Sequence, residues 1–152
     1  MKSSETQDVH PLKLLASEVF SNMLRTSGHL AHQQAQLLKS FGLSRTQFDA
    51  LRILRNSDSG GVPILAVANR MITRVPDITR LIDRLQQDGL VERCNSERDR
   101  RVVLVRLQEK ARRLLQEVDD PMRRLTGGQI GHMSTDELVT LNNLLLKARS
   151  PA

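Results

Sequence analysis

The amino-acid sequence predicts a mainly α-helical fold that contains one small β-hairpin. Apolar residues recur at helical spacing near both ends of the 152-residue chain. A short amphipathic segment precedes Gly89, and two runs rich in β-branched residues follow it, over 90–93 and 102–107. The segment 95–101 between those runs is too polar and basic to be buried. A helix followed by a charged hairpin indicates a winged helix-turn-helix, flanked here by N- and C-terminal dimerisation helices.

The first predicted helix runs from Pro11 to about Lys39, after a polar tail over residues 1–10. Pro11 suits a first helical turn, because the N–H that proline lacks would have no helical partner there. Gly28 weakens the middle of this helix and makes a bend possible. The apolar stripe of the helix is more than one small domain can cover, which predicts burial against a second copy of the chain.

Ser44 is predicted to cap the second helix, since a serine hydroxyl can accept a hydrogen bond from a free backbone N–H of the first turn. This helix carries apolar residues between Phe48 and Leu54, and a loop over residues 56–61 follows. Residues 62–64 are predicted to add a short third strand beside the hairpin.

A short third helix is predicted over residues 65–71, with Leu65 and Ala68 facing inward. Residues 72–75 are predicted to form the turn into the next helix. Two helices joined by a short turn are the core of a helix-turn-helix, whose second helix enters the DNA major groove.

The fourth predicted helix would be that second helix. Pro76 is expected at its first position, and Asp77 in its first turn, where a carboxylate interacts favourably with the helix dipole. Gly89 is expected to end the helix. Its apolar face has the spacing i, i+3, i+4 and i+7 and consists of Ile78, Leu81, Ile82 and Leu85.

The chain after the hairpin is predicted to be helical again. A helix is expected over residues 108–125, with a kink or break at Pro121, and the glycine pair at 127–128 is expected to be a clear break. Ser134 and Glu137 have the spacing of a capping box, which predicts the start of a last helix.

These elements predict a flexible tail over residues 1–10 and a single domain over residues 11–152. Within that domain, residues 44–107 form the predicted DNA-binding lobe. The helices over 11–40 and 108–149 are predicted to build a dimer.

The distribution of charge favours a nucleic-acid partner. The net charge is +6, and residues 70–113 hold 12 basic and 7 acidic side chains, a balance of +5. Nearly all the excess positive charge therefore lies in the predicted DNA-binding segment. The alternative is a solvated basic surface with no binding role.

Other classes of protein and site have less support. The single cysteine, Cys94, excludes an intramolecular disulfide and fits a reducing cytoplasm. We expect it to be a structural, half-exposed thiol rather than a redox sensor. His29 and His32 lack an evident third metal ligand, so we expect surface or interface histidines. With no nucleophile elbow, phosphate loop, metal triad or membrane-spanning run, we expect neither an enzyme, a cofactor nor a membrane partner.

The order of elements and two motifs resemble the MarR family of bacterial transcriptional regulators, over roughly residues 12–148. The motifs are DITRLIDRLQQDGLVER, residues 77–93, and the wing RDRRVVLVRL, residues 98–107. The resemblance implies a homodimer that binds a pseudo-palindromic operator in double-stranded DNA. It also implies a repressor that is released by a small, often phenolic ligand or by oxidation.

Three positions depart from the family pattern. Ser96 stands where the first aspartate of the wing motif is usual, which predicts a looser wing tip. Ile72 stands where a glycine is common in the turn between the helices, which predicts a differently shaped turn. Ala111 stands where many members have glycine.

The resemblance assigns Thr79 and Arg80 to the helix that meets phosphates and base edges. Arg80 can offer two donors to guanine, while Thr79 and Arg74 can reach phosphate. Asp77 either accepts from cytosine N4 or orients an arginine, and Arg84 is expected to meet DNA backbone or a neighbouring acid.

In the wing, Arg98 and Arg100 are expected to enter a narrow minor groove, and Asp99 is expected to pair with Arg101 and stiffen the tip. The complete predicted DNA-binding set is Arg74, Pro76, Asp77, Thr79, Arg80, Arg84, Arg98, Asp99, Arg100 and Arg101.

The effector site is the least determined by sequence. In the resembled family the effector pocket lies between the dimerisation helices and the DNA-binding helix. The resemblance implies walls here from Leu15, Val19, Met23, Phe48 and Leu51, with His29 or Arg52 as a polar partner, although these residues are equally plausible as core. The alternative function is a winged helix that binds RNA or another protein without operator binding.

Overall fold

The computed structural model describes residues 11–57 and 60–150; the predicted tail over 1–10 lies outside them. The described chain is mainly helical with a small antiparallel sheet, as predicted. Residues 11–33 form one compact unit, and the described residues from Gln34 onward form the other. The elements are α1 (Pro11–Ser40), α2 (Arg45–Arg55), β1 (Val62–Pro63), α3 (Ile64–Arg70), α4 (Ile78–Gln87), β2 (Val91–Asn95), β3 (Val103–Leu107), α5 (Glu109–Ile130) and α6 (Thr135–Arg149).

The three strands form one sheet in the order β1-β3-β2, with both pairings antiparallel. The predicted third strand is therefore confirmed: Val62 lies opposite Val105. Gly61 precedes it with φ +101°, and a Cβ there would lie 2.9 Å from Cγ of Arg106. Both the backbone conformation and the close approach favour glycine at this turn.

The core of the second unit lies between α2, α3, α4, α5 and the sheet. Its largest fully buried side chains are Leu38, Leu51, Val67, Ile82, Leu85, Val105, Leu115 and Val118. The prediction that Leu65 faces inward is wrong, since that side chain is 73% exposed. The helix instead begins at Ile64, and the period of 3.6 residues then buries Val67 and leaves Ala68 half-buried.

Helix α4 has the predicted apolar face but a different start. It begins at Ile78, and Asp77 is its N-cap rather than a first-turn residue. Pro76 therefore precedes the cap, and its prediction as first helical residue is wrong. The predicted end is confirmed: Gly89 has φ +69°, and the N–H groups of Gly89 and Leu90 donate to Gln86 and Leu85. This pairing is a Schellman motif.

Helix α5 passes through both predicted breaks and ends at Ile130. Proline inside a helix removes one backbone hydrogen bond, but tertiary contacts hold this helix on both sides of Pro121. Val118 is fully buried and Met122 packs against the core. The carboxylate of Asp119 accepts two hydrogen bonds from Arg55 on α2, at 3.0 and 2.8 Å.

The predicted cap at Ser44 and the predicted capping box at Ser134 are both confirmed, and Ser44 also forms a capping box with Gln47. At the start of α6, the backbone N–H and the hydroxyl of Ser134 donate to Glu137, and these bonds lower the pKa of that carboxyl below its usual value. Helix α1 continues through Gly28. Among the described residues, no helix is long and apolar enough to cross a membrane.

Candidate nucleic-acid interface

The outer face of α4 carries exposed polar and basic side chains opposite its buried face. Thr79, Arg80 and Arg84 are exposed, while Leu81, Ile82 and Leu85 are buried. Helical geometry fixes this division, because the two sets lie about half a turn apart on the helix surface. The predicted reading residues of α4 therefore face away from the core. Arg74, Pro76 and Asp77, which lead into α4, are also exposed.

The carboxylate of Asp77 has a structural partner. Its Oδ1 accepts a hydrogen bond from the backbone N–H of Arg80 at 2.9 Å. This bond satisfies one of the free N–H groups at the helix start. Asp77 thus caps α4 through the backbone N–H of Arg80, a role that differs from the predicted first-turn position and from the predicted contacts with cytosine or an arginine side chain.

A side-chain bridge joins α4 to the wing. Nη2 of Arg93 on β2 lies 2.6 Å from Oδ1 of Asp83, and its Nη1 donates to Oε1 of Gln86. Sequence reasoning missed this bridge, because β2 and α4 are separated by a turn and spacing alone does not show which acid an arginine meets. The bridge links β2 of the wing to α4.

The tip of the wing is closed by short-range bonds. Oδ1 of Asp99 accepts from the backbone N–H of Arg101 at 2.9 Å. The predicted partner residue is right, but the bond is to its backbone rather than to its guanidinium. Oγ of Ser96 likewise accepts from the N–H of Arg98 at 3.3 Å. The serine therefore supplies an acceptor of the kind that an aspartate would supply at this position.

The wing arginines Arg98, Arg100 and Arg101 are all exposed. Together with Arg74, Arg80 and Arg84 they place six guanidinium groups on the helix and wing. Of the acids on the same segments, Asp77 and Asp99 accept backbone N–H groups and Asp83 pairs with Arg93. The arrangement can bind a polyanion through its phosphates and can present one helix to a groove.

The other two departures from the family pattern are at Ile72 and Ala111. Ile72 is 70% exposed in the turn before α4. Ala111 is fully buried on α5, where a small side chain fits.

A cavity of about 800 Å³ lies between α2, α5 and neighbouring segments of the second unit. Phe48 and Arg52 line it, and the Arg52 guanidinium lies 5.6 Å from the centre of the Phe48 ring. Val19 and Met23, also predicted as ligand contacts, are exposed on α1 and are not among its lining residues.

Cys94 and His29, which were considered as possible redox and metal sites, each lie near a polar group of the chain. The half-buried Cys94 thiol lies 3.8 Å from the carbonyl oxygen of Leu104. His29 Nε2 lies 3.1 Å from Nε2 of Gln33. Across the described ranges, no group of three or more His, Cys, Asp or Glu side chains is arranged to hold a metal ion.

A helix-turn-helix followed by a basic hairpin wing defines the class of winged-helix DNA-binding regulators. The model of the MarR family matches residues 43–103 of the chain, from the start of α2 to the start of β3. The MarR transcription factor of Planctomyces limnophilus is 36% identical. The likeness covers 85% of this chain and 93% of that one, with a TM-score of 0.67. The chain belongs to the MarR family of transcriptional regulators.

Two further relatives extend the comparison over most of the chain. The transcriptional repressor MprA of Escherichia coli is 25% identical over 149 residues, which are 98% of this chain and 83% of that protein. The structure of BpsR from Bordetella bronchiseptica has a TM-score of 0.78 at 24% identity and covers 88% and 94% of the two chains. That structure is described as showing how 6-hydroxynicotinic acid regulates DNA binding by BpsR.

Proposed function

We propose that this chain is a sequence-specific, homodimeric DNA-binding repressor whose operator binding is modulated by a small ligand. The observation that carries the proposal is the bridge between Arg93 and Asp83, at 2.6 Å. It joins the exposed face of α4 to the basic wing, so that both parts meet one DNA duplex as a unit. Membership of the MarR family and the likeness to a repressor support the same conclusion.

In the proposed complex, α4 lies in the major groove. Arg80, exposed in the first turn of α4, offers two parallel donors to O6 and N7 of a guanine. Thr79 and Arg74 bind phosphate near the helix start and set its depth. Arg84, one turn further along, meets the DNA backbone. Pro76 and Asp77 lie beside these contacts at the entry to the helix.

The wing supplies affinity more than sequence choice. Arg98 and Arg100 at the tip enter the adjacent minor groove, where a narrow groove concentrates negative potential. Asp99 keeps the tip closed through the N–H of Arg101, and the Arg101 side chain adds positive charge near the phosphates. Neutralising several phosphates makes the affinity fall steeply with salt.

Dimerisation is supported by the apolar side chains that the terminal helices leave exposed. A second copy of the chain would cover them and hold two copies of α4 about one turn of DNA apart, which a pseudo-palindromic operator requires. On α1 the exposed apolar residues are Leu12, Leu14, Leu15, Val19, Phe20, Met23 and Leu24; on α6 they are Val139, Leu141, Leu144 and Leu146.

Ligand control is supported by the cavity beside α2 and by the likeness to BpsR. A ligand that binds one spacing of the two α4 helices better than another would shift the dimer toward or away from the operator-binding state.

The test is an electrophoretic shift with DNA from upstream of the chain's own gene. We expect a discrete complex that survives excess scrambled duplex and excess RNA. The alternative function, an RNA-binding or protein-binding module, would be favoured if RNA competed as well as the upstream duplex or if no duplex were bound. Size measurement by light scattering on the same sample reports whether the chain is a dimer.

A further inference from the structure

The exposed face of α4 carries an acidic side chain among its polar and basic ones. Asp83 is the acid of this helix, and its side chain is 49% exposed. The helical period of 3.6 residues places Asp83 between Thr79 and Arg80 around the helix axis. Asp83 therefore belongs to the same surface as the residues that are proposed to meet DNA.

One oxygen of the Asp83 carboxylate is bonded and the other is not. Oδ1 lies 2.6 Å from Nη2 of Arg93, whereas Oδ2 forms no hydrogen bond or ion pair with residues 11–57 or 60–150. Arg93 also donates to Gln86 through Nη1, so its guanidinium contacts α4 at two side chains. This pairing restrains the carboxylate and leaves Oδ2 as an acceptor without a donor in the described chain.

The pairing also makes a carboxylate acceptable close to DNA. An unpaired carboxylate on this face would be repelled by the phosphates, and the positive charge of Arg93 offsets that repulsion. Sequence reasoning considered a cytosine contact for Asp77, but Oδ1 of Asp77 caps α4. Asp83 is thus the acid on the outer face of α4 that keeps an oxygen available for a base.

The chemistry of the base edges selects cytosine for a carboxylate. In the major groove cytosine presents an amino donor at N4, whereas guanine and thymine present acceptors. Adenine presents an amino donor beside the acceptor N7. An ionised carboxylate can only accept hydrogen bonds, so it is matched by cytosine and opposed by the acceptors of the other bases.

We propose that Asp83 is a specificity-determining residue that accepts a hydrogen bond from the N4 amino group of a cytosine in the operator. The inference rests on the proposed DNA-binding function and adds a second recognised base to it. Arg80 and Asp83 are separated by about 4.5 Å along the helix axis, and successive base pairs by about 3.4 Å. The cytosine therefore lies within about two base pairs of the guanine bound by Arg80. The contact needs α4 to lie deep in the groove, which the Arg80 contact secures, so loss of Arg80 removes both base preferences.

The test selects the preferred duplexes of the full chain from a randomised DNA pool. The unaltered chain should enrich a half-site with a cytosine within about two base pairs of a guanine whose enrichment is lost in Arg80→Ala. Asp83→Asn should change that cytosine to adenine, because an amide both donates and accepts and so matches N7 and N6 of adenine. Asp88→Asn removes the same charge at the C-terminal end of α4, on the side opposite Thr79. This matched control should keep the cytosine.

Fluorescence anisotropy then measures the preference on two duplexes that differ only at this base pair. Replacing the cytosine with adenine should weaken binding by the unaltered chain about tenfold. In Asp83→Asn the same replacement should tighten binding. The ratio between the two duplexes is the quantity compared, because removing a negative charge strengthens binding to every duplex.

A selected half-site without a cytosine at this distance overturns the proposal on the unaltered chain, and no variant is needed for that result. A cytosine preference that persists in Asp83→Asn overturns it as well, since Asp83 would then serve only to hold Arg93. If the guanine that depends on Arg80 is still enriched in either case, the proposed DNA-binding function stands. Enrichment of no duplex at all contradicts that function together with this inference.

Discussion

Nη2 of Arg93 lies 2.6 Å from Oδ1 of Asp83, and this contact joins β2 of the wing to α4. The same guanidinium donates to Gln86 one turn along the helix. The two parts of the proposed DNA-binding surface are thus fastened by a side chain that contacts neither groove in the proposed complex. A link of this kind restrains the wing before DNA is met, which reduces the ordering that binding requires.

Replacing Arg93 with alanine is therefore expected to weaken binding to all DNA sequences by about tenfold, equivalent to about 1.4 kcal/mol. The free energy of unfolding should fall by less than about 1 kcal/mol, because partly exposed ion pairs contribute little to stability. Fluorescence anisotropy with labelled duplexes measures the first effect. Arg113→Ala removes the same charge from an exposed pair with Glu109; equal losses in the two variants would show that charge, and not the bridge, is responsible.

Asp77→Ala is expected to destabilise the chain by about 1 kcal/mol, because the start of α4 loses its cap. Asp77→Asn should retain nearly all the stability, since asparagine caps a helix as well as aspartate. Urea denaturation compares the three chains. If asparagine proved as destabilising as alanine, the capping role of Asp77 would be rejected.

Pro121→Ala is expected to stabilise the chain by about 1–3 kcal/mol, because alanine restores a backbone hydrogen bond inside α5. Gly128→Ala should add about 1 kcal/mol, since a Cβ at that position meets no atom within 4 Å. Guanidinium denaturation reports both changes. A loss of stability in Pro121→Ala would mean that the proline is needed for the path of α5.

The start of α6 should depend on pH. Since the pKa of Glu137 is lowered by its bonds from Ser134, the capping box is at full strength above the ordinary carboxyl pKa and is lost as the pH falls through the lowered value. Hydrogen exchange of the α6 amides, followed from about pH 5 to about pH 3, should show protection falling in the native chain. Glu137→Gln should show a smaller change with pH; an identical profile would remove Glu137 as the titrating group.

Local patterns in the sequence predicted most of the elements. The apolar face of α4, the Gly89 end, the cap at Ser44 and the capping box at Ser134 depend on residues within one or two turns of each other, and all were confirmed. The wrong predictions for Leu65 and Pro76 come from misplaced helix starts, since α3 begins at Ile64 and α4 at Ile78. The break predicted at Pro121 failed because of contacts distant in sequence. Pro121 favours a break locally, but burial of Val118 and the pairing of Asp119 with Arg55 keep α5 continuous.

The features of the candidate site also divide into those that local spacing predicts and those that depend on tertiary packing. The exposure of Arg80 follows from helical periodicity alone. The bridge from Arg93 to Asp83 depends on how separate elements pack, so no sequence spacing indicates it. The N-cap role of Asp77 could have been predicted, because an aspartate immediately before the first apolar residue of a helix, here Ile78, is a common N-cap signal.

The central claim is that α4 reads base sequence while the wing supplies affinity. The most direct measurement is a titration of the native chain, Arg80→Ala and Arg98→Ala against the upstream operator duplex and a scrambled duplex at one salt concentration. Arg80→Ala should bind both duplexes with nearly equal affinity, and Arg98→Ala should bind both more weakly while keeping its preference for the operator. Full operator preference in Arg80→Ala, or unchanged affinity in Arg98→Ala, would contradict the account.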